Sequence, residues 1–331
     1  MLRKLLRSGS VALCAFALAV GAASTHAQTT VQGYPDRPVR LVIPAPAGSG
    51  PDAIGRLLGK LLGEMWGHPV VIENILGAGG NIGHDRGAKA APDGYTLLMG
   101  LIGPMSVSSS LGEKMPFDPV KDLAPVTMLV RLPNILVVHP SVPVTNLQEL
   151  IAYGKKNPEK LRYGFPGYGT SLHLAAEQLN MMAGTKLTGV PYKSSGQMTT
   201  DVIGGHIEMM FHNVPAVLAH VRSGALRSIG ITSSARDPAV PDIPTLKEAG
   251  LPDYEVTSWY AMYVPAGTPD PLIGRLNADI AKALAQPEVK EWMKAQAGMA
   301  GGGSPKELAD FQAAETVKWA KLIKAANIKT Q

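Results

Sequence analysis

Val39-Arg40-Leu41-Val42-Ile43-Pro44-Ala45-Pro46-Ala47-Gly48-Ser49-Gly50-Pro51-Asp52, followed by Ile54, Leu57, Leu58, Leu61, Leu62 and Met65, decides the fold class. The first five residues form an unbroken apolar run around one arginine, which reads as a buried strand. The last six fall at i, i+3, i+4, i+7, i+8 and i+11, the single apolar stripe of a helix lying on a sheet. Ser49 with Asp52 three residues on fits a capping box, Pro51 sits where an early-turn proline is tolerated, and Gly67 stops the helix. Val70-Val71-Ile72 and Tyr95 to Met99 read as further strands, with a helix around Gly83 to Ala90 between them. Strand, helix, strand in this order is the signature of a parallel sheet, so the class is α/β.

The same grammar recurs downstream. Ile135 to Val138 is a strand, Leu147 to Lys156 an amphipathic helix, and Leu161 to Tyr163 a strand that feeds a second glycine-rich turn, Gly164-Phe165-Pro166-Gly167-Tyr168-Gly169-Thr170-Ser171. Thr170 or Ser171 can cap a helix carrying Leu172, Ala175, Ala176, Leu179 and Met182, which Gly184 ends. Strands follow at Thr188 to Val190, Ile207 to Phe211, Leu226 to Ile231 and Trp259 to Val264, and two amphipathic helices close the chain, the last opening on the capping box Ser304-Pro305-Lys306-Glu307. The two strand-to-helix turns share one property. Each puts backbone amides at the mouth of a helix, where the first four lack partners and the dipole favours negative charge, so the pair can hold an anion.

The N-terminal segment reads as a signal peptide over residues 1–27. Arg3, Lys4 and Arg7 precede an apolar run from Val11 to Val20, and Thr25-His26-Ala27 supplies small residues for cleavage. The only cysteine, Cys14, lies within it, so the mature chain has no thiol for catalysis, metal binding or disulfides. Three of the 31 basic residues leave with the segment, and 28 then face 26 acidic ones. With no basic stripe, nucleic acid is a poor partner. About 300 residues exceed what one core usually serves, so two lobes are expected: 28–130 with 227–331, and 131–226, joined by two crossings that make a hinge.

At this level the residues resemble a known family. Tyr34-Pro35-x-x-Pro38, the 44 to 52 turn, Glu73-Asn74 before Gly77-Ala78-Gly79-Gly80-Asn81-Ile82-Gly83, and Ala91-Pro92-Asp93-Gly94-Tyr95-Thr96-Leu97 are similar to the Bug-type periplasmic receptors of tripartite tricarboxylate transporters. Asp122 to Thr127, Gly169 to His173, Val190 to Lys193, Glu248 to Pro252 and Pro265 to Pro269 continue the resemblance along the chain. It implies a two-lobed, Venus-flytrap periplasmic binding protein of type II-like form with a two-strand hinge. It also implies a small organic carboxylate as ligand, no chemical step, no cofactor, and membrane transporter subunits or a sensor ectodomain as partner. Carried onto this chain, the binding positions are Gly48, Ser49, Gly50 and Asp52 in the first turn and Gly167, Gly169, Thr170, Ser171 and His173 in the second; Ala47, Tyr168, His212 and Asn213 join the candidates from this chain's own residues.

Where the chain departs from the family pattern, ligand identity is expected to be written. Ala45, Ala47 and Ser49 stand where an aromatic residue, a proline and a glycine are usual, His212 replaces an acid, Ile75-Leu76 replaces Arg-Pro, and Ser194 replaces a glycine after Tyr192-Lys193. Smaller side chains and a lost acid imply an aromatic mono- or dicarboxylate, with a C4 to C6 aliphatic dicarboxylate as the alternative. Gly77, Gly79 and Gly83 are spaced G-x-G-x-x-x-G after the second strand, which is not a dinucleotide fingerprint. His206, His212 and His220 lack zinc spacing, and no G-x-S-x-G occurs, which leaves an exported hydrolase as the weaker reading. Tyr168 is a candidate stacking wall, Trp259 and Tyr260 read as core with the cleft as alternative, and nothing points to an oligomer.

Overall fold

A computed structural model describes residues 33–328; the expected signal segment lies outside them. Strand β1 (Val39–Ile43) runs parallel to β2 (Val70–Asn74) on one side and β3 (Thr96–Leu101) on the other. Helix α1 (Gly50–Trp66) crosses between β1 and β2, and its stripe Ile54, Leu58 and Leu62 is fully buried. Gly67 ends it in the left-handed conformation, as its sequence position predicts. Helix α2 (Asn81–Ala88) connects β2 to β3.

The element that organises the molecule is β4 (Leu123–Val138), 16 residues long. Its first half pairs antiparallel with β9 (Thr257–Pro265) and with β10 (Met299–Gly302), and β9 in turn pairs with β3. Its second half pairs antiparallel with β7 (Met209–Asn213) and β8 (Arg227–Ile231). Beyond β7 lie β5 (Arg162–Phe165) and β6 (Thr188–Pro191), both parallel. One strand therefore serves two half-sheets, and the result is the two-lobed α/β binding-protein fold. The sequence boundary at 226/227 falls one strand early, because β8 is hydrogen-bonded to Ile135–Val138 beside β7. The chain crosses back between β8 and β9, and Thr232 ties the crossings. Its N–H donates to Asn134 O (2.8 Å), its Oγ1 accepts the Asn134 N–H (2.7 Å), and the Val256 N–H donates to its carbonyl (3.0 Å).

Helices cover both half-sheets. α3 (Leu147–Lys156), α4 (Ser171–Ala183), α5 (Ser195–Ile203) and α6 (Val214–Arg222) belong to the β5–β7 side. α7 (Asp270–Leu284) and α8 (Pro287–Ala295) pack on the β1–β3 side, with Ile273, Ile280 and Val289 buried. The long α9 (Pro305–Ala325) opens on a complete capping box, Ser304 with Glu307, and lays its buried Trp319 and Leu322 against the larger core. Buried Glu315 on α9 accepts the indole N–H groups of Trp319 (2.9 Å) and Trp259 (3.3 Å), fixing Trp259 as a core residue.

Candidate functional site

The carboxyl ends of β3, β5 and β7 converge on a cavity of about 300 Å³. Ligands of open α/β sheets lie at such strand ends, where loops gather and helices begin. From the β3 end come Leu101, Ile102 and Pro104, then Val107, Ser108, Leu111 and Glu113 from the π-turn Gly103–Val107 and the connection after it. From the β5 end come Pro166, Tyr168, Gly169, Thr170, Ser171 and Leu172, and from the β7 end Asn213. Ser258 and Tyr260 of β9 close the floor. Most of this wall is apolar, and among the described residues neither lysine nor arginine lines it.

The second glycine-rich turn is thus at the site, and its donors divide into used and free. Thr170 is the N-cap of α4, its Oγ1 accepting the His173 N–H (3.4 Å) and donating to Gly167 O (2.8 Å). The Gly169 N–H donates to His173 Nδ1 at 3.3 Å. Among the described residues, the N–H groups of Ser171 and Leu172 find no acceptor, as expected of a first helical turn whose dipole faces a cleft. His173 does not line the cavity. It is buried against Phe165 and Tyr168, ring centroids 4.4 and 5.3 Å away, and burial pulls its pKa down to about 4. A neutral ring accepting a loop amide positions the turn and leaves Ser171 without a base.

The first turn sits differently from the expectation. Ala47, Gly48, Ser49, Gly50 and Asp52 do not line the cavity. The Ser49–Asp52 pair is not a capping box: Ser49 Oγ donates back to Pro46 O (2.6 Å), and the buried Asp52 carboxylate accepts the Gly48 N–H (2.8 Å), Arg56 Nε (2.9 Å) and Asn74 Nδ2 (2.9 Å). These bonds, Arg56 first, hold its pKa down to about 2. Two amides counted as ligand donors are therefore consumed internally, Gly48 by Asp52 and Ser49 by Pro46 O (3.2 Å). Gly50 still borders the site through Tyr260, whose hydroxyl lies 3.1 Å from where a Cβ on Gly50 would be. Burial pushes that hydroxyl up to about 12, so it is a neutral donor.

His212 is also buried, and burial lowers its pKa; Nδ1 accepts the N–H of Asn213 (2.8 Å), so the ring faces its own chain, not the cavity. Asn213 does line the cavity, while Gly167 stays behind it as an acceptor for Thr170. A residue that sequence reasoning missed is His84. Its Nδ1–H donates to Gly80 O (2.8 Å), its Nε2 accepts the Leu101 N–H (3.2 Å), and its ring stacks on Phe117, which fixes the end of β3. Burial drives its pKa down to about 4.

Residues 54–328 match the family model described as the tripartite tricarboxylate transporter family receptor. The chain belongs to this receptor family. It is 35% identical to protein BugT of Bordetella pertussis over 96% of this chain and 98% of that one. A Pseudomonas sp. (strain P51) protein from the tcbD-tcbE intergenic region is 38% identical over 94% and 92%. Among solved structures, an R. palustris protein with adipate superposes with a TM-score of 0.79 at 35% identity, covering 89% of this chain and 99% of its own. MatC of Rhodopseudomonas palustris, with bound malate, gives 0.74 at 31% identity, covering 88% and 100%. The receptor is accordingly a periplasmic solute-binding protein and not an enzyme.

Proposed function

We propose that the receptor captures a small organic carboxylate with an apolar body in the cavity at the β3, β5 and β7 strand ends and presents it to tripartite transporter subunits. The carrying observation is the pairing of unpartnered Ser171 and Leu172 amides with a cavity wall of Leu101, Val107, Leu111, Leu172 and Tyr168. Hydrogen bonds to a charged acceptor contribute roughly 1.5–3 kcal/mol each, so these amides with the Thr170, Ser171 or Tyr260 hydroxyls support affinity on the order of micromolar after ordering costs. The apolar wall and the Tyr168 ring favour an aromatic acid. Adipate and malate in related receptors favour an aliphatic dicarboxylate as the second reading.

Residues 1–27 would export the chain and be removed, leaving a single-chain receptor in the periplasm, and N-terminal sequencing of the exported protein checks the cut after Ala27. Calorimetry with benzoate, hexanoate, adipate and malate on ligand-stripped receptor tests the ligand class. Binding of an acid that weakens at least about fivefold in Ser171→Pro, which deletes the free amide at a first helical position where proline is tolerated, supports the proposal. Absence of binding by every acid, at concentrations where related receptors are saturated, overturns it.

A further inference from the structure

Among the described residues, Glu113 is the one charged side chain lining the cavity. It is half-buried, and none of the ion pairs among the described residues includes it. Its Oε2 accepts Asn81 Nδ2 at 3.0 Å. Asn81 is itself only 5% exposed, and its Oδ1 is buried with no partner among the described residues. The amide cannot be turned over, because that would set Oδ1 against a carboxylate. Asn81 therefore holds Glu113 in place and leaves a second acceptor beside it.

The polar groups of the site are thus of two opposite kinds. At the α4 entrance stand donors, the amides of Ser171 and Leu172. Against them stand acceptors: the Glu113 carboxylate on the segment after the π-turn, whose donor is Asn81 Nδ2, and the unpartnered Oδ1 of Asn81, the first residue of α2. The same cavity is lined by Val107, Leu111 and Leu172. A half-buried carboxylate with no cationic partner gains from a donor on the ligand, whereas a second carboxylate placed there would meet a charge of its own sign.

Resting on the carboxylate-receptor reading, we propose that the ligand carries a hydrogen-bond donor, best a primary ammonium, at the end remote from its carboxylate, and that Glu113 selects for it against dicarboxylates. The site then recognises an ω-amino acid or its aromatic equivalent.

Two matched series test this by calorimetry on the mature receptor: hexanoate, adipate and 6-aminohexanoate; benzoate, terephthalate and 4-(aminomethyl)benzoate. In at least one series the amino acid is expected to bind about tenfold or more tighter than the dicarboxylate, with the plain monoacid between. Glu113→Gln should compress that spread to within about threefold. A dicarboxylate that equals or beats its amino counterpart in both series of the unmodified receptor overturns the inference and leaves the carboxylate reading standing. Failure of all six acids to bind removes both. The ranking in the unmodified receptor needs no variant, so it decides even if Glu113→Gln is unstable.

Discussion

Gly169→Ala isolates the contact that brings the second glycine-rich turn onto the opposite wall of the cavity. Gly169 has φ of +72°, and a Cβ there would lie 2.8 Å from Leu111 Cδ1 and 3.1 Å from Val107 Cγ1. Two costs follow. The left-handed backbone strains any residue with a Cβ by about 1–2 kcal/mol, offset in part by the stiffer unfolded chain. Forcing Leu111 and Val107 aside adds roughly 1–3 kcal/mol of overpacking. Gly224 supplies the control, since it has nearly the same φ, +78°, lies at the end of α6 away from the cavity, and meets nothing within 4 Å. Gly224→Ala therefore carries the backbone cost alone.

The two variants should separate by about 1–3 kcal/mol in urea unfolding, and only Gly169→Ala should lose affinity, by about tenfold or more for the tightest acid of the panel. The affinity follows because Gly169 lies between Tyr168 and Thr170, so a displaced loop carries the Ser171 amide with it. Equal unfolding midpoints and unchanged binding in the two variants would falsify the claim that Leu111 and Val107 seat this turn.

Acidification gives the second expectation. His84 and His173 have pKa values lowered to about 4, so between pH 6.5 and 4 the unfolded chain takes up protons that the folded one refuses. Stability present above pH 6.5 should fall by about 2 kcal/mol per ring at pH 5. Asp52, lowered to about 2, contributes only below the ordinary aspartate range, so it does not confuse this window. Urea midpoints that do not move between pH 7 and pH 5 would contradict the neutral, buried rings. Tyr260→Phe addresses the first turn: removing the hydroxyl beside Gly50 should weaken acid binding about fivefold with the fold intact. Unaltered calorimetry would mean that the entrance of α1 takes no part in holding the ligand.

Much of the fold could be read directly, because its elements carry local signals that agree with their packing. The stripe of α1 from Ile54 to Leu62, the glycines ending α1 and α4, and the Ser304–Glu307 box all appear where the chain places them, while Met65, the stripe's last member, is exposed. What escaped was β4. Only Ile135 to Val138 reads as a strand, since Pro125, Arg131 and Pro133 break the pattern upstream. The structure keeps Pro125 in the sheet beside a register shift, where a residue without an N–H is tolerated. The lobe boundary was misplaced for a related reason: Leu226 to Ile231 announces a strand but not its partner, and the partner is the hidden length of β4.

The site was half legible. Main-chain donors at the α4 entrance follow from glycines and a capping threonine, which any reader of the sequence can find. Side-chain fates do not follow, because they depend on competition among neighbours. Asp52 had the spacing of a capping residue, yet Arg56 and Asn74 reach its carboxylate from α1 and β2 and turn it into a knot that also takes the Gly48 amide. His212 stood where a ligand donor was wanted, but the amide of Asn213, one residue on, claimed its Nδ1 first. The missed wall, Val107 to Glu113, has no periodicity to separate a residue facing the core from one facing a cleft. A single signal was available there: the segment follows the carboxyl end of a parallel strand, the position from which α/β sheets build their binding sites. That rule points at β3 as firmly as at β1 and β5, and following it would have placed Glu113, the lone charge lining the cavity among the described residues, in one wall with Ser171 from the sequence.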